Sequence, residues 1–165
     1  MSKKHKKFEI PNPLQTLTQI ENSPKYSFGA VSDKLNKIKQ DKPTFAFDFL
    51  SLKNSRFCFN SNLIAGVKEY QRIFQGFKTI STKTYDELSK DRSYHFHEVD
   101  FDDTTIPHSD FLKCLVSDTS KINIDNSPTV YQFKVFEEAR VFGFIYRSVF
   151  YLVFFDRNHD GYKRK

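Results

Sequence analysis

Two residues near the end of this 165-residue chain are the best placed to do chemistry. Arg140 opens an apolar run that reads as the penultimate strand, and His159 follows 19 residues later, just past the last apolar strand. An antiparallel hairpin sets the start of its first strand beside the end of its second, so the two are expected to be neighbours in space. Arginine keeps its charge, and its fork can hold a phosphate and offset negative charge in a transition state. Imidazole titrates near neutrality and can give or take a proton. Cleavage of RNA by its own 2′-hydroxyl needs such a set: a base, an acid and a cation. Glu138 and Glu98 are candidate bases, and Tyr162 is a candidate to assist or to stack on a nucleobase. The plainer alternative is a surface ion pair between Arg140 and Glu137 or Glu138, which is common and weak.

These side chains need a rigid frame. Residues 129–136, 140–146 and 149–155 are dominated by Val, Ile, Phe and Tyr, as a buried sheet requires. Tyr146-Arg147-Ser148 joins the last two strands. Leu63, Val67, Tyr70, Phe74 and Phe77 recur at steps of four and three, which predicts a helix over 62–78 capped by Ser61 or Asn62. Further helices are expected at 84–89 and 32–40, with a short one through Leu14, Leu17 and Ile20. Phe45, Phe47 and Phe49 alternate with smaller residues, and Phe57 and Phe59 flank Cys58. That period of two predicts a hairpin over 44–50 and 56–60, turning at Lys53-Asn54-Ser55. Alternation at 94–101 predicts another strand. Residues 102–128, with Pro107 and Pro128, read as a loop holding a short element at 111–116. The expected class is α+β: a mainly antiparallel sheet of about five to six strands with helices packed on one face. Residues 25–165 form one domain in this reading, preceded by a basic, partly disordered arm at 1–24.

Other constellations are weaker. His95 and His97 would share one face of a strand and could share a metal with His108 or His159. Zinc sites usually need three or four ligands at recognised spacings, however, and the two cysteines lie far apart. Cys58, between two Phe, reads as core. Asp156–Gly161 has the D-x-N-x-D-G opening of a calcium loop, but its twelfth position would fall at residue 167, beyond Lys165. A polar turn or a phosphate site is the better reading. No Walker loop, G-x-G-x-x-G or G-x-S-x-G occurs, which argues against nucleotide-dependent enzymes and α/β-hydrolases. No cofactor is expected.

Charge and composition set the class of partner. The formal net charge is +6, and residues 1–42 hold nine Lys against four acidic residues. Lys3, Lys4, Lys6 and Lys7 form an arm attracted to phosphate backbones, and Lys163 and Arg164 repeat the pattern at the other end. Arg147 and Arg157 are further candidates for nucleic-acid contact. Nineteen Phe and eight Tyr exclude a disordered chain. No apolar stretch is long enough to span a membrane, and no apolar segment follows the basic N-terminus as a secretory signal would. A cytoplasmic location is expected.

Arg140-Val141-Phe142-Gly143-Phe144, a short turn, Val149–Phe155, then His159 and Tyr162 resemble the C-terminal half of RelE/YoeB-like bacterial toxins over about residues 130–162. The resemblance implies a metal-independent ribonuclease of a toxin-antitoxin or phage-defence system. Arg140 would be its phosphate-holding Arg and His159 its general acid, with Glu138 standing for the family's acidic residue. It also implies RNA or the ribosome as target and an acidic antitoxin as partner. The chain is much longer than those toxins. The alternative is a phage- or mobile-element protein that binds nucleic acid or protein without catalysis.

Overall fold

The fold follows from three long apolar strands that can be buried only as a sheet covered on both faces. The structure, a computed structural model, describes residues 34–54, 56–59, 64–116 and 127–163. Strands β1 (Thr44–Ala46), β2 (His97–Glu98), β3 (Val130–Phe136), β4 (Ala139–Tyr146) and β5 (Val149–Asp156) form one sheet in the order β1-β5-β4-β3-β2. Every pairing is antiparallel except β1 with β5. Helices are α1 (Val67–Ile80), α2 (Tyr85–Lys90) and α3 (His108–Leu115). The α+β class and the largely antiparallel sheet are those expected. None of the described helices is long and apolar enough to cross a membrane.

Helices lie on both faces of the sheet, where one covered face was expected. Side chains alternate along a strand. Phe133, Val141 and Phe150 therefore join Ile73, Phe77 and Leu88 in one apolar cluster, under α1 and α2. Phe142, Phe144 and Phe154 join Phe111, Leu112 and Leu115 in another, under α3. Helix α1 approaches β3 so closely that a Cβ at Gly76 would lie 2.4 Å from Val135 Cγ1 and 2.5 Å from its carbonyl oxygen.

Several expected elements differ. The aromatic segment at 44–59 is no hairpin. Only Thr44–Ala46 pairs, in parallel with β5, and the chain then wraps around the sheet edge. This puts Phe45 against the first cluster and Phe49 and Phe57 in the second. Helix α1 begins at Val67 after Gly66, whose φ of 82° suits glycine. Its buried residues include Ile73, Phe77 and Ile80, while Val67 and Phe74 are exposed, so the stripe runs beside the expected one. The strand at 94–101 shrinks to two residues because His95, at φ 47°, ends a 3-10 turn in the left-handed region. At 32–40 only Leu35–Lys37 forms a 3-10 turn among the described residues. The short element at 111–116 is the C-terminal part of α3. Helix α2 matches its expectation and carries a capping box between Thr84 and Glu87. The arm at 1–24, the helix through Leu14–Ile20 and the caps Ser61 and Asn62 lie outside the described residues.

Candidate functional site

One end of the sheet is polar on the α3 face. Two bulges place it there. An extra residue on β3 between Lys134 and Phe136 makes Lys134 the partner of Arg140. A register shift opposite Phe142 and Gly143 makes Asp156 the partner of Arg140 on its other side. Lys134, Arg140 and Asp156 thus form a row across three strands, with Gln132 and Phe142 in the row behind.

The segment after β5 folds back over this row. Both carboxylate oxygens of Asp156 accept backbone N–H groups of its own turn, from Asp160 at 3.0 Å and Gly161 at 2.7 Å. Burial pushes the Asp156 carboxyl up from its ordinary range, and those donors oppose the rise. The polar-turn reading of Asp156–Gly161 therefore holds, and the carboxylate is not aimed outward as a calcium ligand. The turn sets His159 at φ 58° and lays Tyr162 over Phe142, with 6.1 Å between ring centroids. Thr105 Oγ1 donates to the Asp160 carbonyl at 2.6 Å and ties the turn to the 99–106 loop.

Arg140 and His159 are brought together through Glu138. Glu138 Oε2 lies 3.8 Å from Arg140 Nη2 and 3.8 Å from His159 Nδ1. The His159 and Tyr162 rings are 5.4 Å apart. Glu138 is exposed and His159 partly so, whereas the Arg140 side chain is only 3% exposed. Arg140 Nη1 donates to the carbonyls of Glu137 and Ala139, each at 3.3 Å. Burial lowers its pKa, against the attraction of Glu138 and Asp156. Burial also holds the Tyr162 phenol up at about 12. Arg140 Nε, Gln132 Oε1 and the Tyr162 hydroxyl are buried with no hydrogen-bond partner. Three orphaned polar atoms in one cluster are unusual, because buried polar groups are normally satisfied.

The remaining candidates divide. His97 donates from Nδ1 to the Glu98 carbonyl at 2.7 Å and accepts at Nε2 from Gln132 Nε2 at 2.8 Å. With both nitrogens engaged and His95 outside the strand, the pair does not form the expected shared face. Among the described residues no group of three or more His, Cys, Asp or Glu is placed to hold a metal. His108 instead stacks on Phe101 at 4.3 Å, and burial lowers its pKa. Glu98 is exposed on β2.

Arg157 is not a free cation. It pairs with Glu69 on α1 and with Glu137 at 3.4 Å, and lies over the Phe136 ring at 5.0 Å. Its partners, not phosphates, occupy the guanidinium. Arg147 sits in the β4–β5 turn, over Tyr146, at the far end of the hairpin from Arg140. The Lys163 ammonium donates to the Asp102 carbonyl. Lys3, Lys4, Lys6, Lys7 and Arg164 lie outside the described residues. Sequence reasoning missed Gln132 and Lys134, and it took Asp156 as part of a polar or phosphate-binding turn and not as the cross-strand partner of Arg140, a placement that depends on the bulges.

Residues 59–165 match the model of a family described as Uncharacterised protein UU032. The chain belongs to this family. The matched span begins after β1 and contains the whole polar cluster. No curated protein and no solved structure matches the chain.

Proposed function

We propose that the polar end of the sheet is a phosphodiester-directed acid/base site, and that the protein is a metal-independent endoribonuclease of the RelE-like kind. The observation that carries this reading is the bridging carboxylate: Glu138 Oε2 lies 3.8 Å from both Arg140 Nη2 and His159 Nδ1. A base, an acid and a fixed cation then meet at one partly open place. Glu138 takes the proton from the ribose 2′-hydroxyl, and the 2′-oxygen attacks phosphorus. The bond to the 5′-oxygen breaks, and protonated His159 gives that oxygen its proton. The products are a 2′,3′-cyclic phosphate and a 5′-hydroxyl. Arg140 offsets the charge gathered on the phosphorane. Tyr162 stays a phenol at neutral pH and packs against the His159 ring.

RNA, free or on the ribosome, is the substrate in this reading, and the action is cytoplasmic. A small acidic protein covering the same end would act as antitoxin. A second reading, binding without catalysis, is favoured by the burial of Arg140. The test is incubation of the pure protein with RNA in the presence of a chelator, followed by end-group analysis. The expected result is 2′,3′-cyclic ends, reduced about 10²–10⁴-fold by His159→Ala or Glu138→Gln. Intact RNA with folded wild-type protein would remove the enzyme reading and leave the binding one.

A further inference from the structure

Lys134 stands directly opposite Arg140 in the β3–β4 pair, on the same face. Directly opposed residues have Cβ atoms about 4.5–5.5 Å apart, and like charges in that position are destabilising. Glu138 and Asp156 attract Arg140, but neither carboxylate hydrogen-bonds its guanidinium. Lys134 makes no ion pair among the described residues. The Arg140 guanidinium has its closest carboxylate oxygen at 3.8 Å, on exposed Glu138. The Asp156 carboxylate, across on β5, is turned to the N–H groups of its own turn. Arg140 Nε, on a side chain 97% buried, and Gln132 Oε1 in the row behind are unpartnered. His95 is exposed at the rim, held at φ 47°, and burial and then the charges of Arg140 and Lys134 depress its pKa.

The geometry points to an anion site formed by Lys134, Arg140 and His95, which takes a phosphate group. A bound phosphate would reconcile the opposed cations and supply acceptors to the unpaired Nε–H. Lys134 is itself only half-buried, so solvent reaches this end of β3. The inference rests on the reading above only for the source of the phosphate. It assigns the site to the RNA backbone at the point of cleavage, where Arg140 faces the phosphate under attack and Lys134 adds a second cation.

The experiment compares wild type with Lys134→Gln, a substitution at a partly exposed position, and with His95→Asn, since Asn accepts a left-handed backbone. Thermal unfolding is followed with inorganic phosphate and with chloride at equal ionic strength. Phosphate should raise the wild-type midpoint by mass action, with little effect on Lys134→Gln. Without phosphate, Lys134→Gln should be at least as stable as wild type. Its affinity for a short single-stranded RNA should fall about tenfold, and the slope of log K against log salt by about 0.7. An equal phosphate response in wild type and Lys134→Gln, or none in either, overturns the site. So does a phosphate-free Lys134→Gln that is clearly less stable, because Lys134 then serves the fold. RNA that fails to displace phosphate overturns the assignment to a backbone phosphate and gives the site to a small phosphate compound. A phosphate response in a protein that cleaves no RNA keeps the site and removes the ribonuclease reading. Loss of cleavage with a retained response in His159→Ala supports both.

Discussion

Replacing Arg140 by Met separates a cation kept for its chemistry from one kept for the fold. The native guanidinium donates two long bonds, each 3.3 Å, to backbone carbonyls. At about 0.5–1.5 kcal/mol each, these contribute on the order of 1–3 kcal/mol. Against them stands the unmade bond at Nε, which costs about 1–3 kcal/mol. Burying the charge costs several kcal/mol more, and its carboxylate neighbours are poorly placed to return it. Met fills much of the volume without a polar atom. Glu138 is 64% exposed and stays solvated when its partner is removed, so no buried carboxylate is orphaned there. Asp156 keeps both of its backbone donors. Stability should therefore be unchanged or raised by up to about 3 kcal/mol, read as an equal or higher urea midpoint at unchanged slope. RNA cleavage should fall by at least about 100-fold in the same preparation. A loss of more than about 2 kcal/mol would refute the reasoning, because a cation that holds the sheet end together needs no ligand to explain it.

Other consequences are open to measurement. Arg157→Gln removes the partner of buried Glu69 and the contact over Phe136. It should destabilise by about 1–3 kcal/mol in urea while leaving RNA affinity within about twofold, whereas a phosphate-binding Arg157 would show the reverse. Gly76→Ala gains about 1 kcal/mol of helix propensity. The new Cβ nevertheless overlaps the Val135 carbonyl, so net destabilisation of about 1–3 kcal/mol is expected, and a more stable variant would show that α1 can retreat from β3. Tyr162 has its folded pKa raised to about 12, so its protonated form favours the native state. That contribution is complete below the unfolded value near 10 and is lost as pH rises from there to about 12. Phenolate absorbance and unfolding midpoints of wild type and Tyr162→Phe should diverge only in that window, and divergence near neutrality would contradict the assignment.

The hairpins at the C-terminal end were legible because Val, Ile, Phe and Tyr crowd residues 130–155, and no arrangement except a covered sheet hides them all. Their registers were not. A two-residue turn at Glu137-Glu138 would by itself set Arg140 opposite Val135, facing the α1 core. The bulge moves it opposite Lys134, on the other face, where the site forms. Nothing local in the sequence marks that extra residue. The meeting of Arg140 and His159 survived this uncertainty because it needs only the two ends of one hairpin, not its register. Arg157 misled for a different reason: its partner Glu69 is 88 residues away, and only the packing of α1 on the sheet joins them. The alternation of Phe45, Phe47 and Phe49 predicts one shared face, but the chain rounds the sheet edge instead of pairing as a hairpin, so Phe45 and Phe49 pack in opposite clusters and Phe47 is left exposed. The same bulges that hid the site from the sequence also make it unusual. By setting Lys134 opposite Arg140 they gather positive charge beside two carboxylates, Glu138 and Asp156, neither of which hydrogen-bonds the guanidinium. A cost of that kind persists in a fold when something bound from outside offsets it.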